Sequence, residues 1–81
     1  MQISVRLSAA LAQANGQTRI SLSLPEEATV NDALSIIAEQ SPALRGKLQI
    51  VIPFVAGQQV NRTKQLQSGQ ELALLLPAAG G

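Results

Sequence analysis

Few residues in this sequence can do covalent chemistry. There is no histidine and no cysteine, which removes Ser-His and Cys-His nucleophile pairs, thiol chemistry and any zinc site built on those ligands. The acids are Glu26, Glu27, Asp32, Glu39 and Glu71. Three of them crowd the start of a helical pattern, where capping and the helix dipole account for them without catalysis. Nothing further favours a carboxylate pair for acid–base work or an all-acid metal site. No glycine-rich phosphate loop follows a strand pattern. The remaining candidate is the main chain itself, at the run Pro77-Ala78-Ala79-Gly80-Gly81. A terminal α-carboxylate ionises at about pH 3.5 and is unreactive at neutral pH. As an acyl donor it has to be activated, for example as a mixed anhydride with AMP, inside another protein's pocket. Glycine clears side chains from beside such a carboxylate and admits unusual backbone angles. Ala78 and Ala79 keep the approach slim. The other reading of the same tail is a frayed end. Both fit the tail taken alone.

The elements that would carry this tail are legible from periodicity. Gln2 to Leu7 alternates, with Ile3, Val5 and Leu7 on one side. Residues 18–24 repeat the pattern through Ile20, Leu22 and Leu24. Both spacings predict half-buried strands. Between them, Asn15-Gly16 signals a turn, in a long hairpin connection, in a short helical turn over Ala9 to Ala14, or in both together. The stretch 25–42 predicts a helix. Thr29 is placed to cap it, with Asp32 completing a capping box. Val30, Ala33, Leu34, Ile37 and Ala38 form its apolar face, and Ser41-Pro42 ends it. Residues 43–47 read as a loop, and 48–61 as mostly strand with a turn at Gly57. Pro53, lacking an amide donor, points to an edge position or a bulge. Residues 71–76 are apolar on both faces, which suits the middle of a sheet. Strand, strand, helix, strand, short strand, strand describes an α+β two-layer domain, with a mixed sheet of four to five strands and one main helix on one face. The first and last strands are expected at its centre. The body is expected to run over residues 1–76, followed by a tail, 77–81.

Composition narrows the function class. With 81 residues and neither Cys nor His, a single domain must hold itself together by aliphatic packing, for which a 46% hydrophobic content suffices. A net charge of +1, without a basic run and with one aromatic residue, argues against nucleic acid as a partner. Apolar runs fall far short of the ~20 residues needed to span a bilayer. The first ten residues lack the pattern of a secretory signal, so the cytoplasm is the default expectation.

Several stretches taken together resemble the ubiquitin-like β-grasp proteins of the sulfur-carrier branch, which includes the small subunit of molybdopterin synthase and the thiamine-pathway carrier. They are "PEEATVNDAL" at the strand-to-helix junction, "SPAL" after the helix, "VAGQQV" as a hairpin, and above all "SGQELALLLPAAGG". In that last stretch Ser68-Gly69 is the turn, Glu71 to Leu76 the strand, Pro77 the surviving proline and Gly80-Gly81 the end. Ala56 stands where the family's hairpin commonly has asparagine before glycine, and Gln70 where it has aspartate.

The resemblance implies a carrier with no catalytic residue of its own. Gly81, preceded by Gly80, would be adenylated by a partner of the ubiquitin-activating type using ATP and magnesium. A sulfur donor protein would convert the adenylate to a thiocarboxylate. The sulfur would then pass to a precursor held by the large subunit of molybdopterin synthase, or by an equivalent enzyme of thiamine, cysteine or siderophore-type synthesis. A ubiquitin-like protein modifier joined through Gly81 to lysines shares the activation chemistry and differs in the acceptor. Pro77, Ala78 and Ala79 would thread into the partner. Because one helix covers one face of the sheet, either Val51, Val55 and Leu75 or their opposites would be exposed for docking, rimmed by Arg6 and Arg19.

Overall fold

The computed structural model describes residues 1–77. Of the expected tail, 77–81, only Pro77 falls within them; Ala78, Ala79, Gly80 and Gly81 lie outside the described residues. Strands β1 (Gln2–Leu7), β2 (Arg19–Ser23), β3 (Ile52–Val55), β4 (Gln58–Gln59) and β5 (Glu71–Leu75) form one sheet in the order β2-β1-β5-β3-β4. β1 runs antiparallel to β2 and parallel to β5, and β3 is antiparallel to both β5 and β4. The last strand is thus the middle one, as its two-sided apolar pattern implies.

Helix α1 (Ala9–Asn15) fills the β1–β2 connection, so both readings of that segment hold. Gly16 closes it at φ 81°, and its amide donates to Ala12 O at 2.7 Å. A side chain would be strained at that angle. Helix α2 (Val30–Gln40) begins at the expected capping box: Thr29 N donates to Asp32 Oδ2 at 2.8 Å, and Asp32 N donates to Thr29 Oγ1 at 3.3 Å. The next two amides are satisfied from a distant loop, Val30 N by Lys64 O at 3.0 Å and Asn31 N by Arg62 O at 2.9 Å. Val30, Ala33, Leu34 and Ile37 are buried on one face of α2, packed over Val5, Leu22, Leu72 and Leu74. Each large aliphatic side chain buried in this way contributes about 1.5–3 kcal/mol. Among the described residues no helix is long and apolar enough to cross a membrane.

Two local expectations need correction. Residues 42–49 are not a simple loop leading into a strand; they form two 3-10 helices, Pro42–Leu44 and Lys47–Gln49. Strand β3 therefore starts only at Ile52, where β5 provides its first partner in Leu75. Pro53 sits next to the short outer strand. Its carbonyl accepts from Val60 N at 3.0 Å, so its nitrogen faces that same outer side and the ladder to β5 loses nothing.

The capping box gives a direct test. Thr29→Ala should cost about 1 kcal/mol. In a domain of this size that lowers the thermal midpoint by about 4–8 °C, measurable by circular dichroism.

Candidate functional site: the open face of the sheet

Strand register decides what the uncovered face presents. Cα partners place Arg19, Arg6, Ala73, Phe54 and Gln59 in one row across the five strands. Ser21, Ser4 and Glu71 form the next row. Further along β5, Leu75 stands beside Ile52. The face is polar over β2 and β1 and becomes apolar over β5 and β3. Leu75 is 41% exposed. Arg6, Phe54, Ala56, Glu71, Ala73 and Leu75 line a groove of about 400 Å³ on it.

The polar side of the groove is organised by one carboxylate. Glu71 lies 2.5 Å from Arg19 Nη1 and 3.4 Å from Arg6 Nε, and Arg19 Nη1 also donates to Ser4 Oγ at 3.3 Å. Arg6 and Arg19 are cross-strand partners, so two like charges stand side by side and Glu71 holds them together. The hydrogen bond from Arg19, together with the charges of Arg19 and Arg6, holds the Glu71 carboxyl below the usual carboxylate range, against a smaller opposing effect of burial. The rim predicted from sequence is therefore present, but it is an ion-paired triad and not two free cations.

The turn closing the groove is strained. Ala56-Gly57 connects β3 to β4 with φ of 53° and 77°. A two-residue hairpin turn wants positive φ at both positions, which favours Asn-Gly. Ala56 takes the first place against its preference.

The docking set is corrected in two members. Val51 and Val55 are 4% and 7% exposed and belong to the core with Leu72 and Leu74. For Val55 the reason is parity; Val51 lies just ahead of β3, outside the paired residues. Val55 stands opposite Leu72, a core position, whereas Phe54 stands opposite Ala73 and Ile52 opposite Leu75. The even-numbered residues of β3 therefore share the open face with the odd-numbered residues of β5. Leu75, Arg6 and Arg19 lie on the open face; Ile52 and Phe54 occupy there the places given to the two valines. Phe54, the only aromatic residue of the chain, was the available signal for this.

Beyond Leu75 the central strand leads out through Leu76 and exposed Pro77 at the apolar end of this face. The ThiS family profile matches residues 5–81, which includes nearly all of the sheet, α2 and the terminal Gly80-Gly81. The chain belongs to the ThiS family. No curated protein matches this ThiS-family chain in a sequence search. Among solved structures it is similar to small archaeal modifier protein 1 from Haloferax volcanii, at 26% identity over 100% of both chains with a TM-score of 0.90. It is also similar to small archaeal modifier protein 1 from Methanosarcina acetivorans, at 22% identity over 99% of this chain and 96% of that one, with a TM-score of 0.84. A third likeness is to the complex of subunits 1 and 2 of molybdopterin-converting factor from Helicobacter pylori, at 18% identity over 100% of both chains and a TM-score of 0.69. The last two speak for the fold alone. The fold of this ThiS-family chain is the ubiquitin-like β-grasp, and the family resemblance read from the sequence holds.

Two outcomes check the site. Leu75→Glu should leave the thermal midpoint nearly unchanged, whereas Val55→Glu buries an unpaired charge and should abolish cooperative unfolding. A depressed folded-state pKa means that Glu71 stabilises the fold above its unfolded pKa, and that this contribution is lost as pH falls through the folded value. Glu71→Gln should therefore be less stable than wild type at pH 7. In urea titrations the two should converge only once pH has fallen through the folded-state pKa of Glu71, below the ordinary carboxylate range, since only then is the carboxylate neutral in both states.

Proposed function

We propose that this chain is a sulfur carrier whose working group is the main-chain carboxylate of Gly81, and that it serves as the small subunit of a molybdopterin synthase. The observation that carries the reading is the family match running through Gly81 on a fold whose central strand leads directly into that tail. The open face supports it: an apolar surface with a charged rim lies where the strand exits, as a docking surface for a tail-receiving partner requires. The Helicobacter pylori complex supports a large-subunit partner by analogy of fold.

The chemistry proceeds in two steps. A carboxylate oxygen of Gly81 attacks the α-phosphorus of ATP, held with magnesium by an adenylating partner of the ubiquitin-activating type. The new bond is acyl O–P, and pyrophosphate leaves. A sulfide equivalent from the donor protein then attacks the acyl carbon; a C–S bond forms, the C–O bond to AMP breaks, and the product is a thiocarboxylate. AMP is a far better leaving group than the oxygen of a free carboxylate. This chain supplies the substrate end and the docking surface, and the partners supply catalysis. Pro77 restricts the backbone at the root of the tail, and Ala78 and Ala79 present little bulk to a narrow channel.

A second reading has its own support. The likeness to the Haloferax volcanii modifier, 26% identical end to end, favours a protein modifier whose acyl-adenylate passes to a lysine amine instead of to sulfur. Both readings require the same terminus. Deleting Gly81 should abolish ATP–pyrophosphate exchange with the cognate adenylating enzyme and leave the thermal midpoint unchanged. Undiminished exchange by the truncated chain would refute both.

A further inference from the structure

Two large apolar side chains are exposed among the described residues, Leu75 at 41% and Ile50 at 60%. Leu75 belongs to the groove; Ile50 does not. A single exposed isoleucine is ordinary on a protein surface. The way Ile50 is held is not. It follows the 3-10 helix Lys47–Gln49, and its amide donates to Lys47 O at 3.1 Å. The carbonyls of Leu48, Gln49 and Val51 all accept from Arg62 Nη2, each at 3.1 Å. One guanidinium nitrogen thus fixes the backbone on both sides of Ile50 and leaves its side chain outside. Arg62 is itself anchored, since its carbonyl accepts from Asn31 N at 2.9 Å in the first turn of α2.

The place matters as much as the hold. Ile50 is two residues before Ile52, whose partner is Leu75, and Pro77 is two residues after Leu75. Ile50 and Pro77 therefore flank the same end of the β3–β5 pair. The four residues 78–81 can span at most about 14 Å. If Gly81 is the group that is adenylated, which is the reading this inference rests on, the partner's reacting atoms come within that distance of Pro77. A pocket that close would close over the end of β3 and β5, the end at which Ile50 lies exposed.

We infer that Ile50 is an apolar anchor for the adenylating partner, seated against a nonpolar wall at the mouth of the pocket that takes the tail. Arg62 is the positioning residue that holds it there. Such an anchor acts on binding and not on the chemical step, because it lies away from the reacting carboxylate.

The test uses the full chain with its cognate adenylating enzyme, in ATP–pyrophosphate exchange with the carrier as varied substrate. Ile50→Ser should raise KM for the carrier about tenfold, leave kcat within about twofold, and move the thermal midpoint little. Ile50→Leu should restore most of the loss. Arg62→Ala should also raise KM, but should add little in the Ile50→Ser background, because both changes remove the same contact. If Arg62→Ala does not fold, the two Ile50 variants still decide the anchor. An unchanged KM for Ile50→Ser, with wild-type exchange intact, would overturn the anchor and leave the carrier proposal standing. Additive effects of the two substitutions would overturn the positioning role of Arg62. Absence of exchange by the wild-type chain would overturn the reading beneath both.

Discussion

The structure depends on one constraint: the last strand has to be the middle strand. β5 takes its hydrogen bonds from β1 on one side and β3 on the other, and its core-facing Leu72 and Leu74 are fully buried beneath α2. A terminal segment would ordinarily be free to fray. Here its root cannot detach without opening the sheet. Ser8 N donating to Leu74 O at 3.1 Å ties down its far end as well. On the proposed carrier reading, a short tail entering another protein's pocket would gain a fixed origin in this way, so that little of the binding free energy would be spent on orienting it.

The same strand sorts the two faces. One face of β5 supplies the core, and the other supplies Glu71, Ala73 and Leu75 to the groove. Glu71 ties Arg6 and Arg19 together at the polar side, which leaves the triad with a single net positive charge beside an apolar surface. An exposed ion pair of this kind contributes little to stability. Its clearer consequence is on the surface. The guanidinium groups are ordered and partly neutralised, so an approaching partner meets a shaped rim and not two mobile cations.

Much of the fold was legible in the sequence because it is written in local rules. Alternation gave β1 and β2, the Thr29–Asp32 box and Ser41-Pro42 bounded α2, and the two-sided apolar pattern of residues 71–76 placed β5 in the middle. Where local rules end, the reading slipped. Whether Val55 or Phe54 faces the helix depends on which residue of β5 stands opposite, and that is fixed by pairing between distant strands. That pairing buries Val55, whereas Val51 lies ahead of β3 in a segment that is not strand. The segment from Leu48 to Val51 looks like the start of a strand because Ile50 and Val51 are β-branched and run into the apolar residues of β3. Its carbonyls instead converge on Arg62, a contact between backbone and a remote side chain that leaves no periodic trace. Ala56 could be read as a departure from the family's hairpin, but its φ of 53° is visible only in the structure. Strained non-glycine residues gather at functional sites, and this one rims the groove.

The central claim is that a fixed strand delivers a bare main-chain carboxylate to be activated and loaded with sulfur. The most direct test is intact-mass spectrometry of the chain isolated from its own source, with fragmentation through the last residues. A carrier shows a population heavier by the difference between one sulfur and one oxygen, with the gain confined to Gly81. Finding only the unmodified carboxylate, with or without forms joined to other proteins through Gly81, would contradict the account.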